Sequence, residues 1–275
     1  MKSRDLIKKI LTYIVLGIGA IFMIFPFFWM ITGGFKTQQE IAAFPPTLFP
    51  SSLNLDNFKY ALDTAPFLTY FVNSLIAMVC SVTLSTLTTI LAAFAFSRLE
   101  FKGRDRIFAL MLSLMMVPFE MLVITNYRTI IKMGLLNSKL ALIIPFTSSI
   151  FYTYILRNFF VSIPDSLYKS AKIDGCSNWQ YLWKVMVPIA RPSLVTIILL
   201  NSISAWNSFF WPMLVTNTTE SRTLPFGLYT FMTEGGARNE YMMAAATMVV
   251  MPMIILFLFA RKYIVTGVSK GGLKG

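Results

Sequence analysis

Six apolar runs of about twenty residues, at 10–31, 70–96, 107–125, 140–160, 194–215 and 241–260, limit what this 275-residue chain can become. Each is long enough to cross the hydrocarbon core of a bilayer as a helix. Strands are excluded, because lipid leaves an open sheet edge unsatisfied and no alternating apolar–polar pattern runs along the chain. Charged residues make up only 13% of the sequence, about half the share of a soluble domain. They are bunched between the runs and leave too little polar surface to cover a soluble core. The fold class is an all-α integral membrane protein of six transmembrane helices, one domain over 1–275. The first run follows Lys2, Arg4, Lys8 and Lys9 but is longer than the apolar part of a signal peptide and lacks a small-x-small cleavage site, so it reads as a retained span.

The polar stretches sort by side. Seventeen of the 24 lysines and arginines fall on the side that holds both termini, the 97–106 loop and the 161–193 loop with Arg157 just before it. By the positive-inside rule that side is cytoplasmic. This accounts for the net charge of +12 without nucleic acid. On the other side, Phe44-Pro45-Pro46 and Phe49-Pro50-Ser51 in the 33–69 loop are turn material, and Asn54–Leu62 (NLDNFKYAL) reads as a short amphipathic helix at the membrane surface.

The chain has no histidine, which excludes a Ser-His-Asp triad, a Cys-His pair and a His-containing zinc site. Cys80 and Cys176 suggest neither a disulfide framework nor a metal site. No G-x-x-x-x-G-K-[ST] loop is present, so the chain cannot hold ATP in a P-loop. No clustered carboxylates support a membrane enzyme. A secondary transporter would bring an inverted repeat, broken helices and an intramembrane ionisable relay.

The polar insert between the fourth and fifth runs, SLYKSAKIDGCSNWQYLWKVMVPIARP at 166–192, is built of helix signals. Pro164 suits a first helical position and Asp165 a first turn. The first helix runs from Ser166 to about Asp174, and Gly175 suits a left-handed stop. Ser177 and Gln180 have capping-box spacing for a second helix, which carries Trp179, Leu182, Trp183 and Met186 on one apolar face. Pro188 and Pro192 punctuate the entry to the fifth span. Ser170 and Ala171 let another surface approach closely. The same residues would suit a connector resting on the bilayer, with Lys169, Lys172 and Lys184 at lipid headgroups.

Lys169-Ser170-Ala171, followed at family spacing by Gly175 and by Val185-Met186-Val187-Pro188, resembles the EAA loop of ABC-importer permeases. KIDGCSNWQYLWKVMVPIARP is similar to its variant in carbohydrate importers of the maltose type. AWNSFFWPMLV (205–215) resembles that family's fifth span, MVPFE (116–120) its third, and 261–275 its C-terminal end. The resemblance covers the whole chain. It implies the type I ABC importer permease fold and the shorter, G-type half of a permease heterodimer in a bacterial inner membrane. The partners it implies are a second permease subunit, a homodimeric or heterodimeric ABC ATPase, and an extracytoplasmic solute-binding protein delivering sugar to the 33–69 and 216–240 loops. ATP and Mg would be held by the ATPase, and no cofactor by this chain. Residues 162–192 would be the coupling loop, with Lys169, Ser170, Ala171, Asp174, Gly175, Trp179 and Pro188 facing the ATPase. Lys169 stands where the family usually has glutamate and Ser170 where it has alanine, so docking would rest on shape, on Gly175 and on the second helix.

Polar and aromatic residues in the spans are candidates for a sugar path, since burying them in lipid is costly. They are Asn73, Glu120, Asn126, Tyr152, Asn201, Trp206, Asn207 and Trp211. Amides bond sugar hydroxyls and aromatic rings stack on the apolar sugar face, so Trp206 and Asn207 lead. Packing, interfacial anchoring and helix bridging are the competing uses of these residues. Glycerol-phosphate or polyol import is the alternative within transport and would draw on Arg128 and Arg222.

Overall fold

A computed structural model describes residues 2–234 and 238–271, with side chains for 6–233 and 238–258. The side chains of 261–275, where the tail resemblance falls, lie outside the described residues. Fifteen α-helices form among those described, with no strand. They are α1 (Lys2–Gly34), α2 (Gln38–Ala42), α3 (Asp56–Thr64), α4 (Phe67–Arg98), α5 (Arg104–Leu114), α6 (Phe119–Lys132), α7 (Lys139–Ile143), α8 (Ile150–Ser162), α9 (Asp165–Ile173), α10 (Asn178–Tyr181), α11 (Val187–Ile189), α12 (Arg191–Trp206), α13 (Phe210–Val215), α14 (Leu224–Glu234) and α15 (Asn239–Gly271).

Leu6–Gly34, Phe67–Arg98 and Asn239–Leu258 are each long and apolar enough to cross a membrane alone. They carry the first, second and sixth expected spans. The other three expected spans are not continuous helices, and each has a proline in the break or within one turn of it. Pro118 lacks an N–H and its ring clashes with the carbonyl four residues back, so α5 ends at Leu114 and α6 leaves it at 96°. Pro145 likewise acts on Ala141. There α7 tightens into a 3₁₀ turn, Ile144–Phe146, before α8 continues at 43°. Pro212 acts on Ser208, and the fifth span parts between α12 and α13. Pro26 and Pro252 sit inside α1 and α15 without ending them.

The chain divides into two compact units, one made of residues up to Leu68 with Gly227–Pro252, the other of Thr69–Phe226 with the chain from Met253 on. In the first, most of the apolar side chains of α1 between Leu6 and Phe25 are exposed, as on a helix facing lipid. The end of α1 packs closely. A Cβ on Gly34 would stand 3.1 Å from both Ala244 Cα and the Phe58 ring. The expected helix within 54–62 is α3, but it does more than lie on a surface. Its Asn57 is buried and donates to Gly34 O (2.9 Å) and Lys36 O (2.8 Å), satisfying carbonyls that the end of α1 leaves open. Lys36, an outer-loop charge by sequence, is buried, with its ammonium 4.3 Å above the Trp29 ring and bonded to Thr47 O. The loop is further tied by a capping box between Thr37 and Glu40, whose carboxylate also accepts from the Ser51 N–H at 2.7 Å. Hydrogen bonds from the Ser51 side chain, then from backbone N–H groups of Thr37 and Ser51, hold the Glu40 carboxyl down to about 2.

The core of the second unit joins spans to insert. Ile90 and Phe94 of α4, Leu156 and Phe160 of α8, Tyr181, Leu182 and Met186 of the insert, and Leu194 and Ile197 of α12 are buried together.

Candidate functional site: the polar insert and a polar cavity

The insert folds as its punctuation demands. α9 starts at Asp165, one residue after Pro164, which caps it from outside rather than opening it. Gly175 has φ +79°, a conformation that L side chains adopt at a cost. Its N–H bonds Lys172 O (3.1 Å) and the Cys176 N–H bonds Ala171 O (2.9 Å), a Schellman pair that closes α9. Ser177 and Gln180 then form the expected capping box, at 3.2 and 2.9 Å. The Tyr168 hydroxyl donates to Asn178 Oδ1 (2.8 Å), tying α9 to α10. A π turn, Leu182–Met186, separates α10 from α11. It precedes Pro188, which could not have bonded the Lys184 carbonyl in any case. α10 and α11 together meet α12 at 79°.

One face of this insert is core and the other is open. Tyr181, Leu182 and Met186 are fully buried against α4 and α8, which a connector floating on lipid would not require. Lys169, Ser170, Asp174, Gly175, Trp179 and Pro188 are exposed. Two expectations change. Ala171 turns inward against the core, so Ser170 alone presents the small surface. Trp179 leaves the apolar face, 62% exposed and edge-on to Trp183 at 5.5 Å. Ile173, 86% exposed, completes the open face. Its spacing of four from Lys169 put it on the same side of α9 and could have identified it.

A cavity of about 100 Å³ opens inside the second unit. Ser74, Ala77 and Ser81 of α4 line one side, and Asn201, Ser204 and Ala205 of α12 another. Ser208 and Trp211 follow at the break between α12 and α13, with Thr223, Leu142, Phe146 and Pro212 completing the wall. The space takes about three waters at ~30 Å³ each. It is smaller than a whole ligand site of ~300 Å³ or more.

Of the path candidates read from sequence, Asn201 and Trp211 line this cavity. Trp211 is there by its ring, since its indole N–H donates to Ala141 O at 2.9 Å. That carbonyl would bond the N–H four residues on, but that residue is Pro145. Trp211→Phe would leave the carbonyl without a donor and is expected to destabilise the protein by about 1–3 kcal/mol, read as a lower thermal unfolding midpoint in detergent. The remaining candidates lie elsewhere. Asn73 is buried and spends its amide on Glu220 O (2.7 Å) and Arg222 O (3.0 Å), fixing an outer loop. Trp206 is buried edge-on against Phe71 at 5.7 Å. Asn207 is the exposed C-cap of α12, and Tyr152 packs against the core beside Phe151. Glu120 is exposed in the first turn of α6, and Asn126 is half-buried on the same helix. Sequence reasoning passed over Ser204, three residues after Asn201 on the same face of α12, and Ser208, four residues further on at the break.

A family model described as binding-protein-dependent transport system inner membrane component matches residues 85–270. The chain is 34% identical over 259 residues to the arabinooligosaccharides transport system permease protein AraQ of Halalkalibacterium halodurans, covering 93% of each. It is also 34% identical to the diacetylchitobiose uptake system permease protein DasC of Streptomyces coelicolor, covering 96% of this chain and 95% of that one. A chain in the crystal structure of a bacterial ABC transporter involved in the import of alginate, an acidic polysaccharide, superposes with a TM-score of 0.83 at 25% identity, covering 94% of this chain and 97% of that one. The fold is that of a type I ABC importer permease, and the chain belongs to the family of binding-protein-dependent transport system inner membrane components, multi-pass permease subunits of ABC transporters rather than enzymes.

Proposed function

We propose that the chain forms half of the translocation pathway for a sugar or oligosaccharide, with energy supplied by a separate ATPase. The observation that carries the substrate class is the row Asn201, Ser204 and Ser208 facing Ser74 and Ser81 beside the Trp211 ring. Amide and hydroxyl groups with one aromatic face suit a polyhydroxylated, uncharged ligand. The relatives named for arabino-oligosaccharides and diacetylchitobiose support the same class. Glycerol-phosphate import is not favoured, because no lysine or arginine lines the cavity, and polyol import is not favoured by the oligosaccharide permeases among the relatives. Of the two arginines that reading would use, Arg128 is exposed on α6 and Arg222 lies over the Phe226 ring at 5.3 Å.

A solute-binding protein delivers the ligand from outside, and a second permease supplies the facing half of the path. Both termini face the cytoplasm, as the lysine and arginine bias requires, and the chain itself binds no cofactor or metal. The open face of the insert, with Lys169, Ser170, Ile173 and Trp179 around Gly175, docks on the ATPase that holds ATP and Mg. Gentle solubilisation and affinity purification of the tagged chain test this assembly. An ATPase and a second, longer permease should co-purify. A chain recovered without either would contradict it.

A further inference from the structure

Two arginines are exchanged between α4 and α8, and neither belongs to the cavity or to the open face of the insert. Arg98 ends α4 with its side chain only 4% exposed. Its guanidinium donates to Phe160 O (2.7 Å) and Ile163 O, where α8 closes, and pairs with the Asp165 carboxylate, the first residue of α9. Arg157 of α8 reaches back. It donates to Phe96 O of α4 at 3.3 Å and lies over the Phe108 ring of α5 at 4.4 Å, with Asp105 at 3.9 Å.

Each partner of Arg98 is one that a cation favours. The carbonyls at a helix C-terminus carry partial negative charge, and an acidic residue in a first turn is held by its own helix. A planar guanidinium can serve all of them at once, whereas an ammonium is a single point charge. The angle between α8 and α9 therefore cannot open without breaking bonds to α4.

We propose that Arg98 is a positioning residue for coupling, and that the Arg98–Asp165 pair makes α4, α8 and the insert one lever, so that a displacement of α9 reaches the spans around the cavity. The proposal rests on the reading of the insert as the ATPase-docking element. The measurement is made on the importer purified with its partner subunits and reconstituted, with Cys80 and Cys176 replaced by serine and Ser204→Cys as a reporter in the cavity. The probe is a membrane-impermeant maleimide, and its labelling rate is read with and without ATP.

ATP should change that rate about tenfold in the otherwise unaltered chain, the factor expected from a switch of roughly one charge-assisted hydrogen bond. With Arg98→Lys the change should fall to less than about twofold while ATP hydrolysis continues. Asp165→Ala, at a residue whose side chain is 75% exposed, should leave about a threefold change. The double variant should be no worse than Arg98→Lys alone, because both remove one link. An undiminished ATP response in Arg98→Lys, or losses that multiply in the double variant, would overturn the proposal. If Arg98→Lys does not assemble, Asp165→Ala decides alone, and a full response there overturns it. Failure of the underlying reading looks different, since then no ATPase co-purifies with the unaltered chain or ATP leaves its labelling unchanged.

Discussion

Valine at position 175 is expected to cut substrate transport at least tenfold while leaving the protein inserted and the partner ATPase able to hydrolyse ATP. Gly175 has φ +79°, and nothing stands within 4 Å of the place its Cβ would occupy. The added Cβ therefore meets no neighbour within the chain, and the effect on the chain's own fold comes from backbone torsion. A left-handed conformation costs an L residue about 1–2 kcal/mol, and more for a β-branched one. The Schellman bonds from Gly175 and Cys176 to Lys172 and Ala171 would open to relieve it, turning α10 away from α9. Gly175→Asn is the control, since asparagine tolerates this region. It should keep most transport. The ratio of substrate moved to ATP hydrolysed, measured for both variants in proteoliposomes, checks the expectation. Equal ratios for valine and asparagine would show that the turn geometry does not matter to coupling.

Filling the cavity should have an effect of similar size by a different route. Ser204 is exposed at the cavity wall, so Ser204→Trp places an indole across a space of about 100 Å³. Uptake should stop, with assembly and basal ATP hydrolysis unchanged. Asn201→Leu keeps the branched shape of the side chain and removes the amide. The loss there should be up to about tenfold, the worth of one or two hydrogen bonds to neutral groups. Normal uptake in Ser204→Trp would place the path elsewhere.

The spans and insert were legible because their signals are local. Apolar length marked the six runs, and Gly175, Ser177 and Gln180 marked the turn and the cap of the insert from residue type and spacing alone. The breaks at Pro118, Pro145 and Pro212 were equally visible as prolines. Yet Pro26 and Pro252 show that a proline in an apolar run does not by itself decide whether a helix ends, so drawing each run as one helix missed three bends. The cavity was harder to read. Asn73 and Trp206 look like ligand groups in sequence, and whether an amide faces a ligand or a carbonyl 147 residues away depends on tertiary packing. Asn201 and Ser204 did carry a local signal, a shared helix face. The burial of Lys36 and the exchange of Arg98 and Arg157 had no such signal, because their partners are carbonyls, rings and carboxylates far along the chain.

The most direct test of the central claim is ATP-driven uptake by the complete importer in proteoliposomes, with its solute-binding protein supplied outside. Labelled arabino-oligosaccharides and diacetylchitobiose are offered in parallel with glycerol 3-phosphate. The account predicts accumulation of an oligosaccharide that requires both ATP and the binding protein, and none of glycerol 3-phosphate. Accumulation of glycerol 3-phosphate alone, or uptake of sugar that persists without ATP, would contradict it.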